Sequence, residues 1–343
     1  MTRVGLIGAG SMGRNHLRVL ADLEGVKLVS VCDSDPLILE AVARKHQVAT
    51  YASWKEMLGR EKLDAAVVAV PTQFHLEVAR AALASGVHVL VEKPIAANLH
   101  EGRELIAAAA AARRMLAVGH IERFNPAVRE LKRRLEEGEL GRVFQLHSMR
   151  NGPFVPRVRD VGVVIDLATH DLDVMYQLAG SEVQRVYAET EQRIHTEHED
   201  LLNALLKFEN GAIGVLQANW LTPTKIRQLS VLGEKGLFVA NYLTQELTYY
   251  ENADVELKLD AHGNVTGVSE GEMVRFPVAQ AEPLRLELKS FVEAVASGRP
   301  PEVDGKSGLR ALQLAEALIA SAQGARVIAG DELTELLSMN PVG

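Results

Sequence analysis

The stretch Arg3-Val4-Gly5-Leu6-Ile7-Gly8-Ala9-Gly10-Ser11-Met12-Gly13 constrains this chain more than any other. An apolar run, Val4 to Ile7, leads directly into Gly8-x-Gly10-x-x-Gly13, and Met12, His16, Val19 and Leu20 follow at helical spacing. A glycine turn between a strand and a helix is the context that a dinucleotide fingerprint requires. Gly8 permits the tight turn, Gly10 lets backbone approach a pyrophosphate, and Gly13 lets the helix pack closely on the strand. Ser11 and Met12 lie at the helix start, where free N–H groups and the positive end of the helix dipole hold phosphates.

The second half of the signature is Lys27-Leu28-Val29-Ser30-Val31-Cys32-Asp33, a strand that ends in Asp33, twenty positions after Gly13. A carboxylate there accepts hydrogen bonds from both adenosine-ribose hydroxyls and repels a 2′-phosphate, so the expected cofactor is NAD.

From residue 1 to about 120, apolar strands alternate with helical patterns, which predicts a parallel sheet covered on both faces. Helices are expected over Pro36 to Lys45, from a Ser53 cap through Leu58, over His75 to Ser85, and over Leu99 to Arg114. Strands are expected at Val48 to Tyr51, Leu63 to Val70, Val87 to Val91 and Met115 to Gly119. In such sheets ligands bind outside the carboxyl ends of the strands. Gly8 to Gly13, Asp33, Pro71-Thr72, Glu92-Lys93-Pro94 and Gly119-His120 all fall at that edge.

After 121 the texture changes. The expected order is a helix from Asn125-Pro126 to Glu136, a strand from Val143 to Arg150, an arginine-rich loop and a helix from Val163 to Leu178. Alternating strands follow near 183–195, 199–208, 211–220, 226–233, 236–240 and 245–251, with Asn210-Gly211 as a hairpin turn. Residues 252–272 read as a long excursion, and Leu284 to Ser297 and Ser307 to Gln323 as two helices that pack back on the first domain. The fold class is therefore α/β. Residues 1–120 form a Rossmann dinucleotide-binding domain, and 121–343 a substrate and oligomerisation domain built on a large open, mostly antiparallel sheet. One face of that sheet lacks a helical cover, so a homodimer or homotetramer is expected.

With 343 residues, 47% hydrophobic and 24% charged, the composition suits a two-domain globular chain. The net charge of −8 argues against a nucleic-acid partner. The single Cys32 excludes a disulfide framework and fits a reducing, cytoplasmic setting. No signal peptide is expected ahead of a strand that begins at residue 4. The longest apolar stretch, Leu105 to Ala112, is too short to span a bilayer.

Acid–base chemistry has one candidate constellation. Asp166 and His170 stand four apart and so share a helix face. A carboxylate beside an imidazole orients it for general acid–base work, although the same spacing fits an ordinary helix pair. Lys93 ends a buried strand at the cofactor edge, where its ammonium would stabilise an alkoxide. Arg123, Arg150, Arg157 and Arg159 are either solvated charges or a cluster suited to a phosphorylated or carboxylated substrate. His195-x-x-His198, with Glu197, Glu199 and Asp200, would need one face to bind metal, and a strand puts 195 and 198 on opposite faces. No metal is expected.

Assembled, these residues resemble the Gfo/Idh/MocA family of sugar and inositol oxidoreductases over essentially the whole chain. The likeness is carried by Gly8 to Gly13, Asp33, Pro71-Thr72 with His75, Glu92-Lys93-Pro94 and Asp166-x-x-x-His170. It implies that Lys93, Asp166 and His170 are catalytic, with His170 taking the hydroxyl proton, and that the Lys93–Pro94 bond is cis and aims the lysine inward. Cofactor contacts are expected from Gly8, Gly10, Ser11, Met12, Gly13, Asp33, Pro71, Thr72, His75, Glu92, Lys93 and Asn125. Substrate contacts are expected from Arg157, Asp166 and His170, with Asn125 as a further candidate. Gly119 to Pro126 and Gly152 to Val163, with Asp160-Val161-Gly162 in place of a glycine triplet, look like the branch that oxidises the 3-hydroxyl of UDP-N-acetylglucosamine. The alternatives are a myo-inositol or monosaccharide dehydrogenase of the same family and, in another class, a non-catalytic NAD-sensing regulator.

Overall fold

The structure, a computed structural model, describes residues 1–154, 161–194, 197–253, 258–259, 265–267 and 271–337. The chain divides into two compact units. The first contains Met1–Phe124, Ala281–Leu314 and the described residues from Glu335 onward; the second contains the described residues of Asn125–Gln280 and Ala315–Thr334.

In the first unit, β1 (Thr2–Ile7), β2 (Val26–Cys32), β3 (Ala49–Tyr51), β4 (Ala65–Val68), β5 (His88–Glu92) and β6 (Leu116–Gly119) form one sheet in the order β3-β2-β1-β4-β5-β6. Every pairing is parallel. The central strands are short apolar runs with both faces buried; all four residues of β4 are 0% exposed. The crossovers carry α1 (Ser11–Leu20), α2 (Pro36–Lys45), α3 (Trp54–Arg60), α4 (His75–Ala84) and α5 (Leu99–Ala112). Helix α2 starts where it does because Asp35 Oδ1 accepts from Leu37 N at 2.8 Å and Pro36 fills the first turn. Ser53 precedes α3, but its hydroxyl makes no capping bond. Helix α5 stops at Ala112 rather than Arg114, because Arg113 turns left-handed with φ 53°.

The second unit opens with α6 (Pro126–Glu136), then β7 (Val143–Pro153) and α7 (Thr169–Ala179). Next come β8 (Val183–Glu191), β9 (Leu201–Phe208), β10 (Ile213–Asn219), β11 (Leu221–Gly233), β12 (Gly236–Asn241) and β13 (Glu246–Glu251). A two-strand ladder, β14 (Lys258–Leu259) with β15 (Val265–Gly267), precedes β16 (Met273–Phe276). Helices α8 (Pro283–Ser297) and α9 (Gly305–Gly324), β17 (Ile328–Ala329) and α10 (Gly330–Leu337) complete the chain. The nine-stranded sheet runs β16-β13-β12-β11-β7-β10-β9-β8-β17. Only β7 with β10 pairs in parallel among the described residues; the other ladders are antiparallel. Alternation along β9 buries Leu202, Ala204, Leu206 and Phe208 on the face that α7 covers. On the other face Leu205, Ile213 and Leu232 are 50%, 44% and 38% exposed.

The helix expected over 163–178 is not uniform. Val164–Ala168 is a π-helical turn, and α-helix resumes at Thr169. Asp166 and His170, expected to share a helix face, thus lie on either side of the junction between the π turn and α7. Two hydrogen bonds and one close steric fit hold this turn. Val163 N donates to Glu199 O at 2.9 Å, and Val164 N donates to Glu199 Oε1 at 3.1 Å. A Cβ at Gly162 would fall 2.0 Å from that same Oε1, so the carboxylate occupies the space a side chain would need. Further along, Asp171 pairs with Arg150 of β7, both under 5% exposed, and Arg150 also stacks over the Tyr242 ring at 5.5 Å. Arg150, expected as a solvated or substrate-facing charge, is instead a buried anchor of α7.

Truncating that anchor should be costly. Arg150→Ala leaves the Asp171 carboxylate buried without its ion partner, and chemical denaturation is expected to show a loss of about 3–5 kcal/mol.

Candidate active site

The glycine turn of the first unit is shaped by sterics that can be read atom by atom. Gly8 has φ +91°, and a Cβ on it would meet Ala69 O at 2.5 Å. A Cβ on Gly13 would fall 2.1 Å from Gly8 O, so α1 packs against the turn only because that position has no side chain. Gly10 differs: a Cβ there meets nothing within 4 Å. The protein leaves that side of the loop open beside the first N–H groups of α1, which is the cradle a pyrophosphate needs.

Asp33 stands at the end of β2. Its Oδ2 accepts from Ala9 N at 2.7 Å, and its Oδ1 accepts from Asp35 N at 2.9 Å. Each carboxylate oxygen keeps further acceptor capacity, so the group can hold the loop and still receive ribose hydroxyls. Gly8, Gly10, Asp33 and Pro71 line one pocket of about 470 Å³. Its apolar walls come from Ile38, Trp54, Phe74 and Val78. Sequence reasoning missed these; a lone aromatic after a strand end carries no motif, and only the order of β1, β2 and β4 brings Trp54 and Phe74 together. Cys32 also lines the pocket, where burial, and then the charge of Asp33, push its thiol up to about 12 and leave it inert.

Ser11 is exposed at the first position of α1, whereas Met12 and Thr72 are half-buried. Two residues expected at the cofactor are buried against backbone. His75 is 1% exposed, with Nδ1 2.9 Å from Pro94 O and Nε2 3.0 Å from Val70 O. Both ring nitrogens face backbone carbonyls, and the neutral imidazole donates to one of them, so His75 ties the end of β4 to the loop after β5. Burial holds its pKa below the ordinary range despite those carbonyls. Asn125 is 2% exposed; its Oδ1 caps α6 through Ala127 N at 3.1 Å, and its Nδ2 donates to Tyr242 O at 3.1 Å. It caps α6 and ties the start of that helix to Tyr242.

At the end of β5, Glu92 Oε1 accepts from His16 Nε2 at 2.6 Å, and Glu92 Oε2 accepts from Lys93 N at 3.1 Å. Burial pushes the Glu92 carboxyl upward. The His16 hydrogen bond, the charges of His16 and Lys93 and the Lys93 N–H outweigh it, and the group stays below the usual range. Lys93 is half-buried, and the Lys93–Pro94 peptide is cis.

In the second unit, Asp166 lies within the π turn and His170 in the first turn of α7, both half-buried. Arg157 and Arg159 lie outside the described residues, as does His195. Glu199 is engaged at the π turn, and Asp200 accepts from Arg193 N at 3.0 Å. Among the described residues no group of three or more His, Cys, Asp or Glu side chains is arranged to hold a metal ion. No described helix is long and apolar enough to cross a membrane.

Residues 2–120 match the family model described as an oxidoreductase family with an NAD-binding Rossmann fold, and residues 128–239 match the GFO/IDH/MocA C-terminal domain. The chain belongs to the Gfo/Idh/MocA family. As a Gfo/Idh/MocA enzyme it is an NAD-dependent dehydrogenase acting on CH–OH groups. A UDP-N-acetylglucosamine 3-dehydrogenase of Acidithiobacillus ferrooxidans is 29% identical over 91% of this chain and 95% of its own. The structure of that enzyme superposes with a TM-score of 0.84 over 94% of this chain and 98% of its own, at 28% identity. An inositol 2-dehydrogenase of Saccharopolyspora erythraea is 30% identical over 92% of this chain and 93% of its own. The WlbA dehydrogenase of Bordetella pertussis, in complex with NADH and UDP-GlcNAcA, superposes with a TM-score of 0.78 at 26% identity, over 96% of this chain and 98% of its own.

The glycine geometry makes two substitutions diverge. Gly10→Ala is expected to fold with an unchanged Tm while weakening NAD binding by about tenfold or more, equivalent to about 1.4 kcal/mol. Gly13→Ala is expected to lower the Tm itself. Thermal unfolding with and without NAD separates the two effects.

Proposed function

We propose that this chain oxidises the 3-hydroxyl of UDP-N-acetylglucosamine or a related UDP-sugar. The observation that carries this reading is the full-length likeness to the Acidithiobacillus enzyme in both sequence and backbone, at 29% identity and a TM-score of 0.84. The complex of WlbA with a UDP-sugar adds support from a second relative. The segments Gly119 to Pro126 and Gly152 to Val163, already singled out for their likeness to that branch, point the same way.

NAD, when bound, supplies the hydride acceptor. His170 takes the hydroxyl proton as general base, since an imidazole titrates close to neutral pH. Lys93 donates a hydrogen bond to the oxygen as negative charge develops on it. Asp166 orients the imidazole, with the π turn and the Arg150–Asp171 pair setting the start of α7. Arg157 and Arg159 meet the diphosphate, where guanidinium groups suit paired phosphate oxygens. Gly8, Gly10, Ser11, Met12, Asp33, Pro71, Thr72 and Glu92 serve the cofactor. The row Leu205, Ile213 and Leu232 supports a second copy of the chain on the open sheet face, giving a homodimer or homotetramer.

The inositol dehydrogenase at 30% identity favours a second reading, in which myo-inositol or a free monosaccharide is the substrate. Absorbance of NADH, with NAD and either UDP-N-acetylglucosamine or myo-inositol, decides between them. Turnover is expected with the UDP-sugar; turnover with myo-inositol alone overturns the first reading. With the active substrate, His170→Ala and Lys93→Ala are each expected to lower kcat by about 10²-fold or more. Unchanged kcat in either variant removes that residue from the chemistry.

A further inference from the structure

One buried histidine of the first unit has no part in the chemistry so far. His16 stands in the second turn of α1, the helix whose start borders the glycine cradle, and is 0% exposed. Its Nε2 lies 2.6 Å from Glu92 Oε1, and its Nδ1 has no partner among the described residues. The Glu92 side chain is 12% exposed, and its second oxygen, Oε2, accepts from Lys93 N at 3.1 Å. Gly119 of β6 pairs with Glu92 of β5, and a Cβ there would come within 3.2 Å of Oε2 and 3.4 Å of Glu92 Cα. The carboxylate is thus boxed between the imidazole, the Lys93 N–H and a bare glycine. Burial opposes its ionisation, but the His16 hydrogen bond and the charges of His16 and Lys93 keep it below the usual range. Replacing such a buried pair by apolar residues of similar volume is often neutral or stabilising. Stability alone therefore does not account for a histidine on a helix that buries Leu17, Val19 and Leu20 in the core. Orientation of the carboxylate does.

We propose that His16 is a positioning residue for Lys93: it fixes the Glu92 carboxylate, which holds the Lys93 backbone N–H and so sets where the lysine side chain leaves the end of β5. The inference rests on the reading of Lys93 as the group that stabilises the reacting oxygen. Helix α1 then serves twice. Its first N–H groups border the open side of Gly10, and in its second turn His16 steadies the strand end that carries Lys93. A reacting group must be held closely in place, and a neighbour locked by packing and by a hydrogen bond supplies that restraint. An apolar residue at position 16 takes the donor away from Oε1. The buried carboxylate then has reason to turn toward another donor, and its hold on Lys93 N loosens.

Hydrogen–deuterium exchange of the protein without cofactor reads the link directly, because the Lys93 amide is the group that Glu92 holds. His16→Leu is expected to speed exchange in the peptide from Val91 to Ala96 by about tenfold. His16→Gln, whose amide N–H replaces the lost donor, keeps it within about twofold of wild type. Exchange of β1 stays at the wild-type rate in both variants, which a general loss of stability would not allow. The second readout is NADH formation with UDP-N-acetylglucosamine, or with myo-inositol if that is the sugar oxidised. His16→Leu is expected to lower kcat about tenfold, and His16→Gln by less than about threefold. In a Lys93→Ala background, adding His16→Leu costs less than about twofold more, because the residue it positions is already gone. Unchanged exchange at Lys93 in His16→Leu, acceleration that extends to β1, or equal acceleration in the leucine and glutamine variants overturns the inference. So does a full further loss of kcat in the double variant, or a large loss in Lys93→Ala with none in His16→Leu. Unchanged kcat in Lys93→Ala instead overturns the reading of Lys93, and the inference with it.

Discussion

The first unit depends on a contact that exists only because a side chain is missing. With Gly13 bare, α1 sits against the Gly8 carbonyl, 2.1 Å from where a Cβ would be. Gly8 in turn must be bare to pass Ala69 O at the end of β4. The carboxylate of Asp33, at the end of β2, then pins Ala9 N. Three strands that are remote in sequence are thus tied to one loop by two steric constraints and one charge-assisted hydrogen bond. The space beside Gly10 is what remains open once these are satisfied, so loop shape and phosphate affinity have a single origin.

The second unit fixes its functional helix by different physics. Here the constraint is electrostatic. Glu199 fills the gap at Gly162 and receives the Val164 N–H, and Arg150 is buried against Asp171 under the Tyr242 ring. Such groups tolerate little rearrangement, because a buried charge that loses its ion partner is left without compensation. A π turn is a wide, weakly bonded piece of helix. It persists between Val164 and Ala168 with these anchors on either side of it.

What the sequence reveals follows from how local each signal is. Strands of the first sheet were legible because burial on both faces writes continuous apolar runs, as in Ala65 to Val68. The glycine turn and Asp33 were legible because their spacing is set within one strand–helix–strand unit. The backbone partners of His75 and Asn125, Pro94 O, Val70 O and Tyr242 O, were not legible, because a polar residue beside a motif looks the same whether it faces a ligand or satisfies backbone. The π turn was invisible, since Asp166 and His170 have the same spacing in either helix type. Strands β16 and β17 and helix α10 were not anticipated. Two or four residues carry no period, and what makes Met273–Phe276 and Ile328–Ala329 strands is a distant partner, β13 in one case and β8 in the other.

The short β17 has a consequence beyond its size. By pairing Ile328 with Val186 and Ala329 with Arg185, it occupies part of the outer hydrogen-bonding edge of β8. An unpaired strand edge is a template for adding another chain. Two residues near the C-terminal end therefore act as a guard against intermolecular strand addition. A chain cut short before them would leave that stretch of β8 available to its neighbours, so its first failing would be in solubility rather than in chemistry.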